Sequence, residues 1–425
     1  MNELRAGVIG VGKLGKEHAR ILANLPGVKL VGVADIRADQ AEAVAHQWQT
    51  RAFSDYREML DQVDAAVVAV PTSGHHDVAQ HFLRRGIPLL VEKPLATTLS
   101  DADDLVALAR RHGTILQVGH VERFNPAMAS LEGIPFRPKF IEADRLGPYT
   151  FRSTDIGVVL DLMIHDLEVM LALVGSQVRS VAAVGISVFG ENEDIANARL
   201  VFDNGCVANL TASRLSMMRV RKMRLWGAEG YLSIDFAARK AMLIRPAEKF
   251  YREHDRLIHP DPADIDQLQT ELYRDFFEIQ NFEDTGKEPL ALELEHFVHC
   301  VRTGSKPKVD GARGRDALAL AERVLDSLRN HQWEGDPAGP VGPLEPPAPV
   351  NQFKPHFLQA RQRRLQVENG GLRGAIGRKP LSVALEFLIN RTGGGGTPLP
   401  RKSPPAPAPK SAPPRRGSSP GPNKR

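Results

Sequence analysis

The chain has 425 residues, 42% of them hydrophobic and 25% charged, with a formal net charge of +4; this is the balance of an ordinary soluble protein with material for two or three domains. Two isolated cysteines, Cys206 and Cys300, exclude a disulfide framework or a cysteine zinc site, and no run of about 18 apolar residues exists to span a membrane. The charge is uneven: residues 331–425 hold 15 Lys/Arg against 5 Asp/Glu, so the basic character belongs to a tail and the preceding chain is net acidic.

Met1–Arg5 leads straight into an apolar run, without the basic start and long apolar stretch of a secretion signal; the expected location is the cytoplasm. Ala6–Gly10 reads as a short strand, Lys16–Asn24 as a helix, Val28–Ala34 as a strand ending at Asp35, and Ala38–Trp48 as a helix. Ala65–Val70 is a continuous apolar run, as in a strand buried on both faces, and stops at Pro71-Thr72. A helix over His76–Arg85, a strand over Pro88–Val91, a helix over Ser100–Arg111 with a capping box from Ser100 to Asp103, and a strand over Ile115–Val118 follow. Such alternation predicts a doubly wound parallel sheet covered by helices, over residues 1–121.

The pattern then changes. Helical spacing covers Gly157–Leu173, and strands are predicted at Val181–Phe189, Ala196–Phe202, Cys206–Ser213, Met223–Trp226 and Tyr231–Asp235. Asp203-Asn204-Gly205 is a hairpin turn signal, because Asn and Gly tolerate positive φ. Two closing helices, Leu290–Arg302 and Arg315–Arg329, complete an α+β domain over residues 122–330 with a large, mainly antiparallel sheet. Residues 331–425 are Pro/Gly-rich and basic, and are expected to be largely disordered; within them Leu381–Asn390 has helical apolar spacing. The tail lacks the interleaved aromatics of a nucleic-acid binder, so no nucleic-acid partner is expected.

Three features carry chemistry. Gly10-x-Gly12-x-x-Gly15 lies between a strand and a helix, with Asp35 20 residues after Gly15 at the end of the next strand. The glycines allow a tight turn and close approach of a pyrophosphate to the helix N-terminus, and the carboxylate suits ribose hydroxyls while repelling a 2′-phosphate. NAD is therefore expected over NADP, although Arg37 could soften the preference. Gly10, Gly12, Lys13, Leu14, Gly15, Asp35, Ile36, Pro71, Thr72, Glu92 and Lys93 are the candidate cofactor contacts. Second, Glu92-Lys93-Pro94 follows a strand and so lies at the carboxyl edge of the sheet, where ligands bind; a lysine there can stabilise a developing oxyanion. Third, Asp161 and His165 are four residues apart on a helix. Taken alone, the pair fits a proton-transferring dyad or a satisfied core Asp–His contact; no further ligands at supporting spacing suggest a metal, and none is expected.

In combination, a dinucleotide fingerprint, Glu-Lys-Pro after a strand and Asp-x-x-x-His on a later helix resemble the glucose–fructose oxidoreductase / inositol dehydrogenase / rhizopine catabolism (Gfo/Idh/MocA) family over residues 5 to about 330. The stretches Val118–Pro126, Asp155–Asp166 and Asp194–Arg214 are similar to the branch containing UDP-N-acetylglucosamine 3-dehydrogenases. The resemblance implies an NAD-dependent oxidoreductase acting on a sugar hydroxyl, with Lys93, Asp161 and His165 catalytic. It implies the 3-hydroxyl of a nucleotide sugar, for lipid A or surface-polysaccharide synthesis, a downstream sugar aminotransferase and a homodimer or homotetramer. Arg123, Asn125, Arg145 and Thr154 are candidate substrate contacts. A dehydrogenase of a free sugar, inositol or diol is the alternative within enzymes; a non-catalytic NAD-binding regulator is the alternative outside them.

Overall fold

The computed structural model describes residues 3–150, 156–284, 286–334 and 339–345, all within one compact unit spanning residues 1–364. Thr154, the 381–390 segment and most of the basic tail lie outside the described residues.

The first half is a six-stranded parallel sheet: β1 (Leu4–Ile9), β2 (Val28–Ala34), β3 (Arg51–Phe53), β4 (Ala65–Val68), β5 (Leu89–Glu92) and β6 (Leu116–Gly119). Their order is β3-β2-β1-β4-β5-β6, so the winding reverses between β1 and β4, and the carboxyl ends of the strands open a crevice there. Helices α1 (Lys13–Asn24), α2 (Ala38–Gln47), α3 (His75–Leu83) and α4 (Leu99–Arg111) cover the two faces. Every residue of β4, β5 and β6 is buried, which is why these strands read as apolar runs rather than alternating ones. The cap of α4 falls two residues earlier than the sequence suggests: Thr98 Oγ1 accepts from the Asp101 backbone N–H at 3.1 Å and donates to the Asp101 carboxylate at 2.8 Å. Thr98 and Asp101 keep the Thr-x-x-acid spacing, as Ser100 and Asp103 do, so spacing alone could not choose between them.

The second half is an eight-stranded sheet: β7 (Pro138–Leu146), β8 (Val178–Ile186), β9 (Ile195–Phe202), β10 (Val207–Ser213), β11 (Val220–Gly227), β12 (Gly230–Asp235), β13 (Lys240–Pro246) and β14 (Phe277–Phe282). The order is β14-β13-β12-β11-β7-β10-β9-β8, with every pair antiparallel except β7 and β10. The hairpin between β9 and β10 turns at Asn204-Gly205, where Gly205 has φ of 81°. One face of this sheet packs against α5 (Ile164–Val174). Three strands of this sheet, β7, β13 and β14, and the short β3 of the first sheet escaped the sequence reading. In β7 the buried positions alternate with charged ones such as Glu142 and Asp144, and β14 is an edge strand with four exposed residues out of six.

Three later helices follow: α6 (Ile265–Asp275), α7 (Pro289–Thr303) and α8 (Gly311–Arg329). α7 returns to the first sheet, where Leu294, Phe297 and Val298 join the core beneath β1 and β4. α8 spans both halves, packing on α4 and β6 at one side and on α5 and β8 at the other. The chain just after α8 also departs from the loose tail expected from composition. Trp333 donates through its backbone N–H to Pro340 and through its indole to Gly342, and Leu344 bridges to Ile186 at the end of β8.

Candidate active site

The glycine turn is built by close packing on one side and openness on the other. Gly10 has φ of 83°, and a β-carbon there would lie 2.6 Å from the Val70 backbone nitrogen. A β-carbon on Gly15 would lie 1.8 Å from the Gly10 carbonyl oxygen, so these two positions fix how tightly α1 starts against β1 and β4. Nothing lies within 4 Å of a β-carbon on Gly12, the N-cap of α1; this is the open side on which an anion can approach the free N–H groups of the helix end. Asp35, at the tip of β2, accepts from Val11 N at 2.8 Å and from Arg37 N at 3.0 Å, which holds its carboxylate beside the turn. Arg37 pairs with Asp39 at 3.1 Å. Lys13, Leu14 and Ile36 are exposed around the turn, Ile36 almost completely. An open N-terminus, a close-packed glycine turn and a carboxylate at the next strand tip fit the pyrophosphate and ribose of NAD. Pro71 and Thr72 begin the turn after β4 at the same sheet edge. His75 ties that turn to the next one: its ring nitrogens lie 2.9 Å from the Pro94 carbonyl and 3.0 Å from that of Val70.

β5 ends at Glu92, which points inward: its carboxylate is buried and lies 2.6 Å from His18 Nε2 on α1. Lys93 therefore takes the cleft side. Its ammonium donates to the Asp161 backbone carbonyl at 2.6 Å and to the Asp161 carboxylate at 3.2 Å. The pair stays partly open, with 14% of the Lys93 side chain and 28% of the Asp161 side chain exposed. The Lys93–Pro94 peptide is cis.

Asp161 does not sit on an α-helix. Residues Val159–Met163 form a π-helical turn that leads into α5 at Ile164. The π turn is wider than an α turn, so residues four apart do not stack as they would on a regular helix. Asp161 accordingly meets Lys93, while His165 Nδ1 is buried without a partner. His165 as a whole residue is half-buried. Burial, with Lys93, Arg145, His120 and Arg221 nearby, holds the His165 imidazole well below its ordinary range, so it is neutral and able to accept a proton. His120, at the end of β6, lies edge-on to it with ring centroids 6.1 Å apart; burial together with Lys93 and Arg123 pushes His120 down to about 3.

The remaining sequence candidates lie close by but face inward. Arg145 on β7 makes a two-pronged contact with Asp166 at 2.8 Å and a third with Glu122 at 2.8 Å, with all three side chains buried. Burial opposes its charge, but Asp166 and Glu122 outweigh burial and keep the guanidinium ionised. Asn125 caps the short helix Pro126–Ala129 by accepting from Ala127 N at 3.1 Å, and donates to Glu122 and to the Phe236 carbonyl. Arg123 pairs with Glu168 at 3.0 Å. Among the described residues no cluster of three or more His, Cys, Asp or Glu side chains could hold a metal.

Residues 4–120 match the family described as "Oxidoreductase family, NAD-binding Rossmann fold", and residues 137–233 match the Gfo/Idh/MocA C-terminal domain. The UDP-N-acetylglucosamine 3-dehydrogenase of Acidithiobacillus ferrooxidans is 35% identical over 325 residues, covering 76% of this chain and 97% of that one. The chain belongs to the Gfo/Idh/MocA oxidoreductase family. A solved structure of the same Acidithiobacillus ferrooxidans enzyme superposes with a TM-score of 0.68 at 33% identity, over 77% of this chain and 98% of that one. The scyllo-inositol 2-dehydrogenase (NAD(+)) of Bacillus subtilis is 28% identical over 77% of this chain and 95% of its own length. Levoglucosan dehydrogenase, solved with NADH and levoglucosan, has a TM-score of 0.64 at 18% identity, over 77% of this chain and 97% of that one; it shares the fold.

As a Gfo/Idh/MocA oxidoreductase the chain uses NAD, and its cofactor half was legible from motif spacing. Sequence reasoning did not single out His18, His75 or His120, which come from α1, the first residue of α3 and the residue after β6, places that no short motif joins. Charged neighbours, Glu17 and Arg20 around His18 and Glu122 and Arg123 after His120, gave no sign that either ring is buried. Among the described residues, no helix is long and apolar enough to cross a membrane.

Proposed function

We propose that this oxidoreductase removes hydrogen from a ring hydroxyl of a nucleotide sugar, the 3-hydroxyl of UDP-N-acetylglucosamine or a near relative. The reading is supported by one arrangement above all: the Lys93 ammonium, anchored on Asp161, beside a neutral His165 imidazole at the carboxyl edge of the NAD-binding sheet. The 35% identical relative carries that activity in its name. His165 Nε2 takes the hydroxyl proton, and Lys93 holds the oxygen as negative charge develops on it. Asp161 fixes Lys93 rather than His165. NAD, when bound, supplies the acceptor for the hydride.

In this reading residues 1–121 bind the cofactor, and residues 122–330 bind substrate and mediate self-association as a homodimer or homotetramer in the cytoplasm. The 3-keto sugar then passes to an aminotransferase that replaces the ketone by an amine on the way to lipid A or a surface polysaccharide. Arg123, Asn125 and Arg145 already hold buried partners, so they support the site from within. The test is a panel of nucleotide sugars, free sugars and inositols with NAD and with NADP, following reduced cofactor and identifying the keto product. Oxidation of UDP-N-acetylglucosamine at carbon 3 with NAD is expected. Turnover confined to inositol or free sugars would replace the nucleotide-sugar assignment.

A further inference from the structure

Successive side chains along a strand point to opposite sides, so whatever fixes Glu92 at the end of β5 also sets the direction in which Lys93 leaves it. Both carboxylate oxygens of Glu92 are engaged. Oε2 accepts from the Lys93 backbone N–H at 3.2 Å, and Oε1 lies 2.6 Å from His18 Nε2. A carboxylate only accepts, so the His18 ring donates from Nε2. The slot around the carboxylate is shaped for it. Gly119 is the partner of Glu92 on β6, and a β-carbon there would lie 2.9 Å from the Glu92 carboxyl carbon; a side chain at that position would displace the carboxylate. His18 closes the slot from α1 and is fully buried. Glu293 on α7 is buried too and feels the charge of Glu92; it adds a second acid, not a cation, to the surroundings of the carboxylate.

This line of contacts has a cofactor end and a substrate end. His18 lies six residues after Gly12, the N-cap of α1, about 9 Å along the helix axis. The free N–H groups at that end suit a pyrophosphate, while the ring farther along the same helix holds Glu92. From Glu92 the contacts pass to the Lys93 peptide, and the Lys93 ammonium ends on Asp161.

We infer that His18 is a positioning residue for Lys93: carried by α1, it fixes Glu92, and Glu92 fixes the peptide from which Lys93 reaches the cleft. One helix then sets both where the cofactor sits and where the lysine points. The inference rests on the role of Lys93 proposed above. A misplacement of about 1 Å in a group that meets a developing charge costs on the order of 10²-fold in rate, so the peptide that aims the ammonium has to be held.

The test uses the full chain. His18→Leu removes the donor, and Glu92→Gln leaves one oxygen where two are used. His18→Gln offers an amide N–H near the position of Nε2 and serves as the rescue. With NAD and UDP-N-acetylglucosamine, His18→Leu and Glu92→Gln should lose turnover on the order of 10²-fold with little change in KM, and His18→Gln should recover most of it. In a Lys93→Ala background His18→Leu should cost nothing further, because its effect runs through the ammonium. A second readout needs neither turnover nor cofactor. Labelling of Lys93 by an amine reagent such as trinitrobenzenesulfonate, followed by mass spectrometry, should be several-fold faster in folded His18→Leu than in wild type, as the ammonium comes off Asp161. Labelling at the wild-type rate in the folded variants, or the full loss of turnover persisting in the Lys93→Ala background, would overturn the inference. No oxidation of UDP-N-acetylglucosamine by the wild type would instead overturn the proposed function, and the labelling rates would still decide the role of His18. If His18→Leu does not fold, Glu92→Gln decides with the same readouts.

Discussion

Two ion pairs, built on Asp161 and Asp166, have different tasks. Arg145 is sealed, two-pronged on Asp166 and tied to Glu122. Lys93 holds Asp161 through one carboxylate contact and one backbone carbonyl, and part of both side chains stays open. Arg145 spends three of its five N–H donors on two buried carboxylates and is itself almost wholly buried, which keeps it from an incoming ligand. The Lys93 ammonium has three donors, and the two contacts to Asp161 leave it able to turn one toward an incoming oxygen. Proximity to the cleft is therefore not enough to make a cation reactive; a donor that stays open to the cleft is also needed.

The contrast can be broken from either side. Lys93→Ala and His165→Ala should each lower turnover on the order of 10³-fold while NAD still binds and the melting temperature stays close to wild type; steady-state kinetics beside cofactor titration checks this, and normal turnover would remove the assigned roles. Arg145→Ala should do the reverse. Stranding Asp166 and Glu122 in the core costs about 3–5 kcal/mol, read as a lower denaturation midpoint, with activity falling in step with the folded fraction. A smaller effect separates Glu293 from both pairs. Its folded carboxyl keeps a proton where the unfolded chain has lost it, so its contribution is present below the unfolded value of about 4.5 and is lost as pH rises toward the folded value. Glu293→Gln removes that dependence, and its melting temperature should gain on wild type as pH rises above the unfolded value, measured by thermal scans upward from about pH 4.5.

The cofactor half was readable because its signals are local. The Gly10–Gly15 turn, Asp35 and the apolar strand β4 each announce themselves within a few residues, and their spacing follows from one supersecondary unit. The other half of the site depends on packing. Asp161 and His165 have helical spacing, yet the π turn at Val159–Met163 gives Asp161 to Lys93 instead of His165, and nothing in a run of apolar residues signals an inserted turn. Arg145 looked like a substrate contact because it is a cation in the right region; only its neighbours show that its guanidinium is buried between two carboxylates. β7, which carries it, was missed because charged residues on the outer positions mask a strand whose inner positions alternate as they should. His120 and His165 come from the residue after β6 and from α5, remote in sequence, and their rings meet only in the folded chain.

The return of α7 to the first sheet bears on the order in which the chain acquires structure. Leu294, Phe297 and Val298 share a core with β1 and β4, and Val309 and Leu318 share the opposite one with α3 and α4. During synthesis the cofactor half emerges first, but its apolar faces wait for α7, which begins at Pro289, long after β6 ends at Gly119. Until then the nascent sheet exposes the patches that α7 and α8 will cover, so a chain cut short before Leu290 should be bound by chaperones rather than accumulate as a free NAD-binding fragment.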